Sequence, residues 1–376
     1  MNLEGRDSIR QPRRPMNVFD GFCGCGGLSN GFLQAGGFRI VAACEMNPHA
    51  ARTYRLNHPG TDVIVGDIRD DRTKGAIRAA FAVEPCDVIV AGIPCQAYTK
   101  SKHRDPNDPR GKLYEPFIDV VGKLMPALVV IENVPDIMTM RHADGALVVE
   151  KIASSLRRIG YAVGVRILNA ADFGVAQRRR RAFIFAWREG SIPRPVKTHD
   201  EHGGKGLPKW LTIRDAIGDL EEQPEDNAWS HVSPRHGHEV LDRISRTPIG
   251  GKASVGYNEG AYRDAPDRPS RTLRGGAWIV HYRHDRVITV REGARIQGFP
   301  DGFLFSGPKS EQTLMVGNAV PPSLAKAVAL AVSATLDERS PIAWNAPSSD
   351  QELPILSASA VHSSQANPPP FQNLCP

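Results

Sequence analysis

The chain reads as an α/β protein: a doubly wound, mostly parallel sheet with a smaller, loop-rich second domain. Three observations carry that reading. Short apolar runs alternate with helix-like stretches from Asn17 to about Trp187, the pattern of strands buried between two helix layers. The alternation then stops, and residues 188–275 are rich in Gly, Pro, His and charge. A regular pattern returns at His284-Asp285-Arg286-Val287 and ends in an Ala- and Leu-rich segment starting near Pro322, where proline suits a first helical turn.

In order, strands are expected over 17–19, 39–43, 62–65, 87–91, 128–131, 162–168 and 181–187. At 376 residues, one large domain plus a smaller one is expected. No run of eighteen apolar residues occurs, and the first fifteen residues carry Arg6, Arg10, Arg13 and Arg14 without the apolar stretch of a secretory signal, so a soluble, cytoplasmic protein is expected. After about Glu338 the composition turns to Ser, Pro, Asn and Gln, expected of a mobile tail.

Six cysteines at 23, 25, 44, 86, 95 and 375 form no CxxC pair, so reduced thiols are expected. Cys23-Gly24-Cys25 is poor zinc spacing, and His231, His236 and His238 read as polar loop residues, so no metal is expected. The net charge is +6, and residues 341–376 hold only Asp350 and Glu352, leaving +8 on the remainder, which suits a polyanion partner. Charge is segregated in the second domain: residues 215–226 hold six acids and no base, and residues 243–274 hold seven bases and three acids.

The chemistry-bearing residues gather at expected strand ends, where open α/β sheets place their sites. Val88–Ala91 runs into Gly92-Ile93-Pro94-Cys95-Gln96, and Leu128–Ile131 runs into Glu132-Asn133-Val134, which puts a thiol and a carboxylate on one rim. Asp20-Gly21-Phe22-Cys23-Gly24-Cys25-Gly26-Gly27 follows the first strand, and Glu45-Met46 ends the second, 21 residues after Gly24. Such a turn lets a small molecule approach the backbone, and an acid at that distance can accept from ribose hydroxyls. A nicotinamide enzyme would fit nearly as well; Gly66-Asp67-Ile68 shifts the balance, because a carboxylate there can accept from an adenine amino group. Gln177-Arg178-Arg179-Arg180-Arg181 runs into the last strand, and a period of two puts Gln177, Arg179 and Arg181 on one face.

Cysteine between proline and glutamine, with Glu-Asn-Val some forty residues on and the Gln-x-Arg-x-Arg pattern, resembles the cytosine-C5 DNA methyltransferases. Arg291–Asp301 and Gly317-Asn318-Ala319-Val320-Pro321-Pro322 match two further motifs of that family, and the resemblance spans roughly residues 17–336. It implies a Rossmann-like, S-adenosylmethionine-dependent methyltransferase of the restriction-modification type acting on double-stranded DNA. Cys95, between Pro94 and Gln96, would be the nucleophile, Glu132 the group at N3, Arg181 a contact to the flipped cytosine and Arg179 its support. Phe22, Gly24, Gly26, Gly27, Glu45, Met46, Asp67, Ile68, Asn318, Ala319 and Val320 would form the cofactor pocket.

By the same resemblance, residues 1–15 form a basic arm, 16–187 the catalytic and cofactor-binding domain, and 188–280 a target-recognition domain. Residues 281–338 return to complete the catalytic domain, and 339–376 form the tail. A monomer is expected, with any cognate restriction endonuclease acting separately. Departures from the family pattern are Ile93 before Pro94, Ala176 before Gln177, and Tyr98-Thr99 where Phe-Ser is frequent; none removes a reacting group. The competing reading within the fold is a transfer RNA cytosine-C5 methyltransferase, against which the long variable region argues. A catalytically dead DNA-binding regulator would be expected to lack Cys95, Glu132 or the glycine turn.

Overall fold

A computed structural model describes residues 14–94, 109–204, 206–253, 261–275 and 278–337. Cys95, Gln96, Tyr98, Thr99, most of the basic arm and the C-terminal tail lie outside the described residues.

The first part runs β1 (Met16–Gly21), α1 (Gly27–Ala35), β2 (Phe38–Glu45), α2 (Pro48–Asn57), β3 (Asp62–Val65), α3 (Asp71–Ala80), β4 (Val88–Gly92), α4 (Tyr114–Leu124), β5 (Leu128–Asn133), α5 (Val148–Arg158), β6 (Ala162–Asn169) and β7 (Arg180–Trp187). The strands form one seven-stranded sheet in the order β3-β2-β1-β4-β5-β7-β6. Every expected strand is present, several extended by one or two residues. The chain leaves β1 toward β2 and β3, then returns to place β4 on the other side of β1, so the topological switch lies between β1 and β4. A crevice is expected at their carboxyl ends.

Period-two alternation sorts the strand residues into two cores. Phe19, Ile89, Ala91, Val129 and Ile131 face α3, α4 and α5, while Val18, Val88, Val90, Leu128 and Val130 face α1 and a later helix. Strand β7 is the exception to parallel order: it lies antiparallel between β5 and β6. Its first residues therefore sit at the carboxyl rim of β5.

The second part contains α6 (Ile213–Ile217), α7 (His238–Ser245), β8 (Lys252–Ala253), β9 (Ala261–Tyr262), α8 (Val290–Ile296), α9 (Lys309–Asn318) and α10 (Pro322–Asp337). Ile213, Ile217, Ile244, Leu273 and Trp278 share a core with Ile296, Phe299, Phe303 and Val316. The segment through α9 thus packs with the second part, and α10 crosses back to α1, burying Leu324, Val328 and Val332. Gly31 permits that crossing, because a Cβ there would lie 2.4 Å from the Cβ of Ala325. Lys309–Asp337 is apolar enough to cross a membrane, but 67% of its most apolar window is buried and Ala319–Pro321 break it into two helices.

The arginine and histidine clusters of the second part are largely structural. Arg291 is fully buried and donates to the carbonyls of Trp229 and Phe303 at 3.0 and 2.8 Å, while Glu292 and Thr289 form a capping box at the start of α8. Two acids of the acidic run pair with arginines, Asp219 with Arg295 at 2.5 Å and Glu221 with Arg283 at 2.5 Å, while Asp215 caps α6 and Glu225 accepts from the Ser233 N–H. His231 bonds Thr289 at 3.1 Å, and His236 accepts from the Val287 N–H at 3.4 Å. Among the described residues, no group of three His, Cys, Asp or Glu could hold a metal ion.

One buried guanidinium ties the parts together. Arg179 donates to the carbonyls of Leu273, Gly317 and Ala319 at 2.8, 2.9 and 3.0 Å. Beside it, Gln177 donates to Gln297 at 2.6 Å and accepts from the Leu273 N–H, and Gln297 donates to Ala319 at 2.7 Å. Arg179→Ala removes the side-chain donor from the Leu273 and Gly317 carbonyls, each leaving a desolvation cost of about 1–3 kcal/mol where water cannot reach it, while the Ala319 carbonyl keeps its bond from Gln297. The expected outcome in denaturant unfolding is a loss of at least about 2 kcal/mol. Arg179→Lys should recover only part of it, since an ammonium cannot match the planar fork; full recovery would contradict this account.

Candidate active site

The carboxyl ends of β1, β4 and β5 meet at the switch point. At β1, Gly21 leads into Phe22, whose φ of +57° lies in the left-handed region that a bulky residue rarely enters. Gly24 at φ +55° and Gly26 at φ +99° continue the turn. It is tied to the next strand end by Glu45, whose carboxylate accepts from the Gly24 N–H at 2.9 Å and from the Asn47 N–H at 2.7 Å. The acid 21 residues downstream therefore orients the turn as well as standing beside it.

Gly24 has nothing within 4 Å of where a Cβ would stand, so the turn opens onto space. Gly27 is the opposite case: a Cβ there would come 2.3 Å from the Val320 carbonyl oxygen. Thus the returning segment Asn318–Val320 abuts the glycine turn, with the Val320 side chain buried and Asn318 exposed. Met46 is 65% exposed beside Glu45. Asp67 follows β3 by two residues, but its carboxylate is held by Arg69 at 2.5 Å, which keeps it below the usual carboxylate range. The Ile68 side chain belongs to the core, and Phe22 packs on Phe117 with ring centroids 6.1 Å apart. A group bearing ribose hydroxyls fits these residues: an open turn, a strand-end acid and an exposed thioether.

Glu132 ends β5 opposite Gly92 in the ladder, and a Cβ on Gly92 would lie 3.7 Å from its Oε2. Antiparallel β7 brings Arg181 onto the same rim, two residues before Phe183, which pairs with Glu132. The Arg181 Nε lies 2.9 Å from Glu132 Oε1, both side chains nearly buried. Burial pushes the Glu132 carboxyl up, while Arg181 and then Arg179 oppose the shift. Next door, the Asn133 amide donates to the Ile93 carbonyl at 3.0 Å, fastening the chain that leads through Pro94 toward Cys95. Residues 177–181 alternate as expected: Gln177 and Arg179 are buried, and Arg178 and Arg180 are exposed.

Three contributors have no assigned role in the sequence patterns. Asn133 stands within its motif, yet its bond to Ile93 is visible only in the fold, and the same holds for Gln297 and its bond to Gln177. Asp20 precedes the glycine turn and is fully buried; Ser29 donates to it at 2.6 Å and lies 2.6 Å from the Tyr54 hydroxyl. The one signal for Asp20 is a carboxylate closing an apolar strand.

Comparison with known proteins gives the family and the fold. Residues 16–334 match the family model for C-5 cytosine-specific DNA methylase. The chain is 34% identical over 337 residues to the type II methyltransferase M1.HphI of Haemophilus parahaemolyticus, covering 84% of this chain and 86% of that one. It is 30% identical to M.DdeI of Desulfomicrobium norvegicum, covering 85% and 88%. Among solved structures, a prophage-encoded E. coli modification methyltransferase superposes with a TM-score of 0.69 at 24% identity, over 86% of this chain and 100% of that one. The S. pombe Dnmt2 methyltransferase superposes with 0.58 at 20%, over 86% and 98%. At those identities the structural likeness concerns the fold.

Burial raises the Asp20 carboxyl to about 7. Its folded value exceeds its unfolded one, so the stability it contributes is present below about pH 4 and is lost as pH rises through about 7. Asp20→Asn mimics the neutral form and keeps an acceptor for Ser29. Chemical denaturation across pH should therefore find the variant's relative stability rising between pH 4 and 7; a pH-independent difference would refute the assignment.

Proposed function

The chain belongs to the C-5 cytosine-specific DNA methylase family, and from that premise we propose the chemistry of its site: Cys95 adds to C6 of a flipped cytosine while Glu132, held by Arg181, attends N3. The observation that carries this reading is the buried Glu132–Arg181 pair beside Gly92, three residues before Cys95. Cytosine C5 is a poor nucleophile unaided. Addition of the Cys95 thiolate to C6 makes an enamine of the ring, and C5 can then attack an electrophile. The target base must leave the duplex stack first.

Glu132 suits the N3 role because its raised carboxyl favours the protonated form, which donates a proton as negative charge gathers on the ring. Arg181 fixes the orientation of that carboxyl and stabilises its anion once the proton has gone. After methylation, loss of the C5 proton and expulsion of the Cys95 thiolate restore the aromatic ring.

The methyl donor is S-adenosylmethionine, which supplies an electrophilic methyl group on sulfur. Glu45 would hold its ribose, Gly24 would let it approach the turn that Gly26 and Gly27 shape against His58 and Val320, and Phe22, Met46, Asp67 and Ile68 would surround its adenine end. Asn318–Val320 would close the pocket. Residues 188–280 would recognise the target sequence. The relatives named as type II methyltransferases support a role in protecting DNA within a restriction-modification system; a monomeric enzyme acting apart from any cognate endonuclease is part of the proposal.

The test is transfer of labelled methyl to duplex DNA by the full-length protein, with nucleosides resolved afterwards. The label should appear in 5-methylcytosine; label in transfer RNA but not DNA would overturn the assignment. Cys95→Ser should lose nearly all transfer, and Glu132→Gln should lower kcat about 10²–10⁴-fold with cofactor affinity retained. Because the protonated Glu132 is the active form, the rate should fall as pH rises through its carboxyl pKa, at higher pH than an ordinary carboxylate would give.

A further inference from the structure

Arg271 occupies the run Ser270–Leu273, which lies along the arginine motif. Ser270 bridges to Gln177, and the Thr272 hydroxyl donates to the Arg178 carbonyl at 2.8 Å. The Arg271 guanidinium is held from two directions. Its plane lies over Tyr262, with Cζ 3.6 Å from the ring centroid. The Nε donates to Asp264 at 2.7 Å, and the Arg271 backbone N–H donates to the other oxygen of that carboxylate at 3.0 Å. Asp264 is 7% exposed, whereas 45% of the Arg271 side chain is exposed.

This construction is costly for a surface arginine. A buried carboxylate must be charge-paired and hydrogen-bonded to be tolerated, so Asp264 fixes where the Arg271 stem and Nε stand. Tyr262 fixes the tilt of the plane. The two terminal nitrogens are bonded to no other described residue. What remains is an oriented edge with parallel N–H donors, already ordered before a ligand arrives. A phosphate grip does not require this, since phosphate offers oxygens in every direction and a mobile side chain serves. A planar pair of acceptors does require it, and the O6/N7 edge of guanine in the major groove is the pair that DNA presents to arginine.

We propose that Arg271 is a specificity-determining residue that reads a guanine of the target sequence, aimed by Asp264 and Tyr262. The inference rests on the DNA-methylating activity above and adds a recognition residue to it. Arg271 touches no reacting atom, so its loss should change which sites are methylated.

Wild type, Arg271→Ala, Arg271→Lys and Tyr262→Leu would each be produced at full length in a host without cytosine-C5 methylation, and 5-methylcytosine mapped across the genome at single-base resolution. Wild type should methylate one motif containing guanine. Both Arg271 variants should relax that motif at a single guanine position, with discrimination there falling about 10–100-fold. Tyr262→Leu keeps the charge but loses the aiming surface, so it should relax the same position; it decides the matter if Arg271→Ala is inactive. An unchanged motif in all active variants would overturn the proposal, and wild-type behaviour of Arg271→Lys would identify a phosphate contact instead. Absence of 5-methylcytosine with wild type would overturn the activity itself and is distinguishable from both.

Discussion

Burial of the Arg179 guanidinium is the constraint on which the rest of the molecule depends. A guanidinium out of water is tolerable only when it is hydrogen-bonded, and here backbone carbonyls from two distant segments, Leu273 and Gly317–Ala319, accept from both terminal nitrogens. Closing this set brings residues 94 to 140 positions away onto the start of β7. It holds the returning segment against Gly27 and keeps Arg181, two residues on, in register with Glu132. One buried cation thus couples the glycine turn, the Glu132–Arg181 rim and the second part.

The direction of β7 does the rest. Were β7 parallel to β5, the residues near its start would lie at the far edge of the sheet from Glu132. Antiparallel pairing puts Asn133 opposite Ala182 and leaves Arg181 on the rim. There it meets a carboxyl whose pKa reflects two opposed effects, desolvation raising it and the arginines lowering it, with desolvation the larger. An acid poised in that way can donate a proton and still be stabilised as its anion.

Much of this is legible in the amino-acid sequence. Buried parallel strands are apolar on both faces, so the runs at Val88–Ala91 and Leu128–Ile131 stand out, as do the glycine turn and the acid after β2. The antiparallel course of β7 is not legible, because period-two alternation carries no direction. The tie of Gln177 to Gln297 is hidden because buried polar partners leave no periodicity. Asp219 and Glu221 look like a solvated acidic run, yet they neutralise Arg295 and Arg283. Asp67 has the position of a ligand-binding acid and is already held by Arg69, a contact two residues away that spacing alone does not distinguish. Cys95 itself lies outside the described residues; Gly92 and Ile93, the latter fastened by Asn133, mark the strand end that leads to it.

The measurement that tests the central claim most directly is covalent trapping. Full-length protein, S-adenosylmethionine and duplex DNA carrying 5-fluorocytosine are incubated together and denatured. Fluorine at C5 cannot leave as a proton does, so the bond from cysteine sulfur to C6 should persist. A denaturation-resistant protein–DNA adduct is expected whose only modified peptide contains Cys95, and none with Cys95→Ala. An adduct through another residue, or no adduct on a sequence the protein demonstrably methylates, would contradict it.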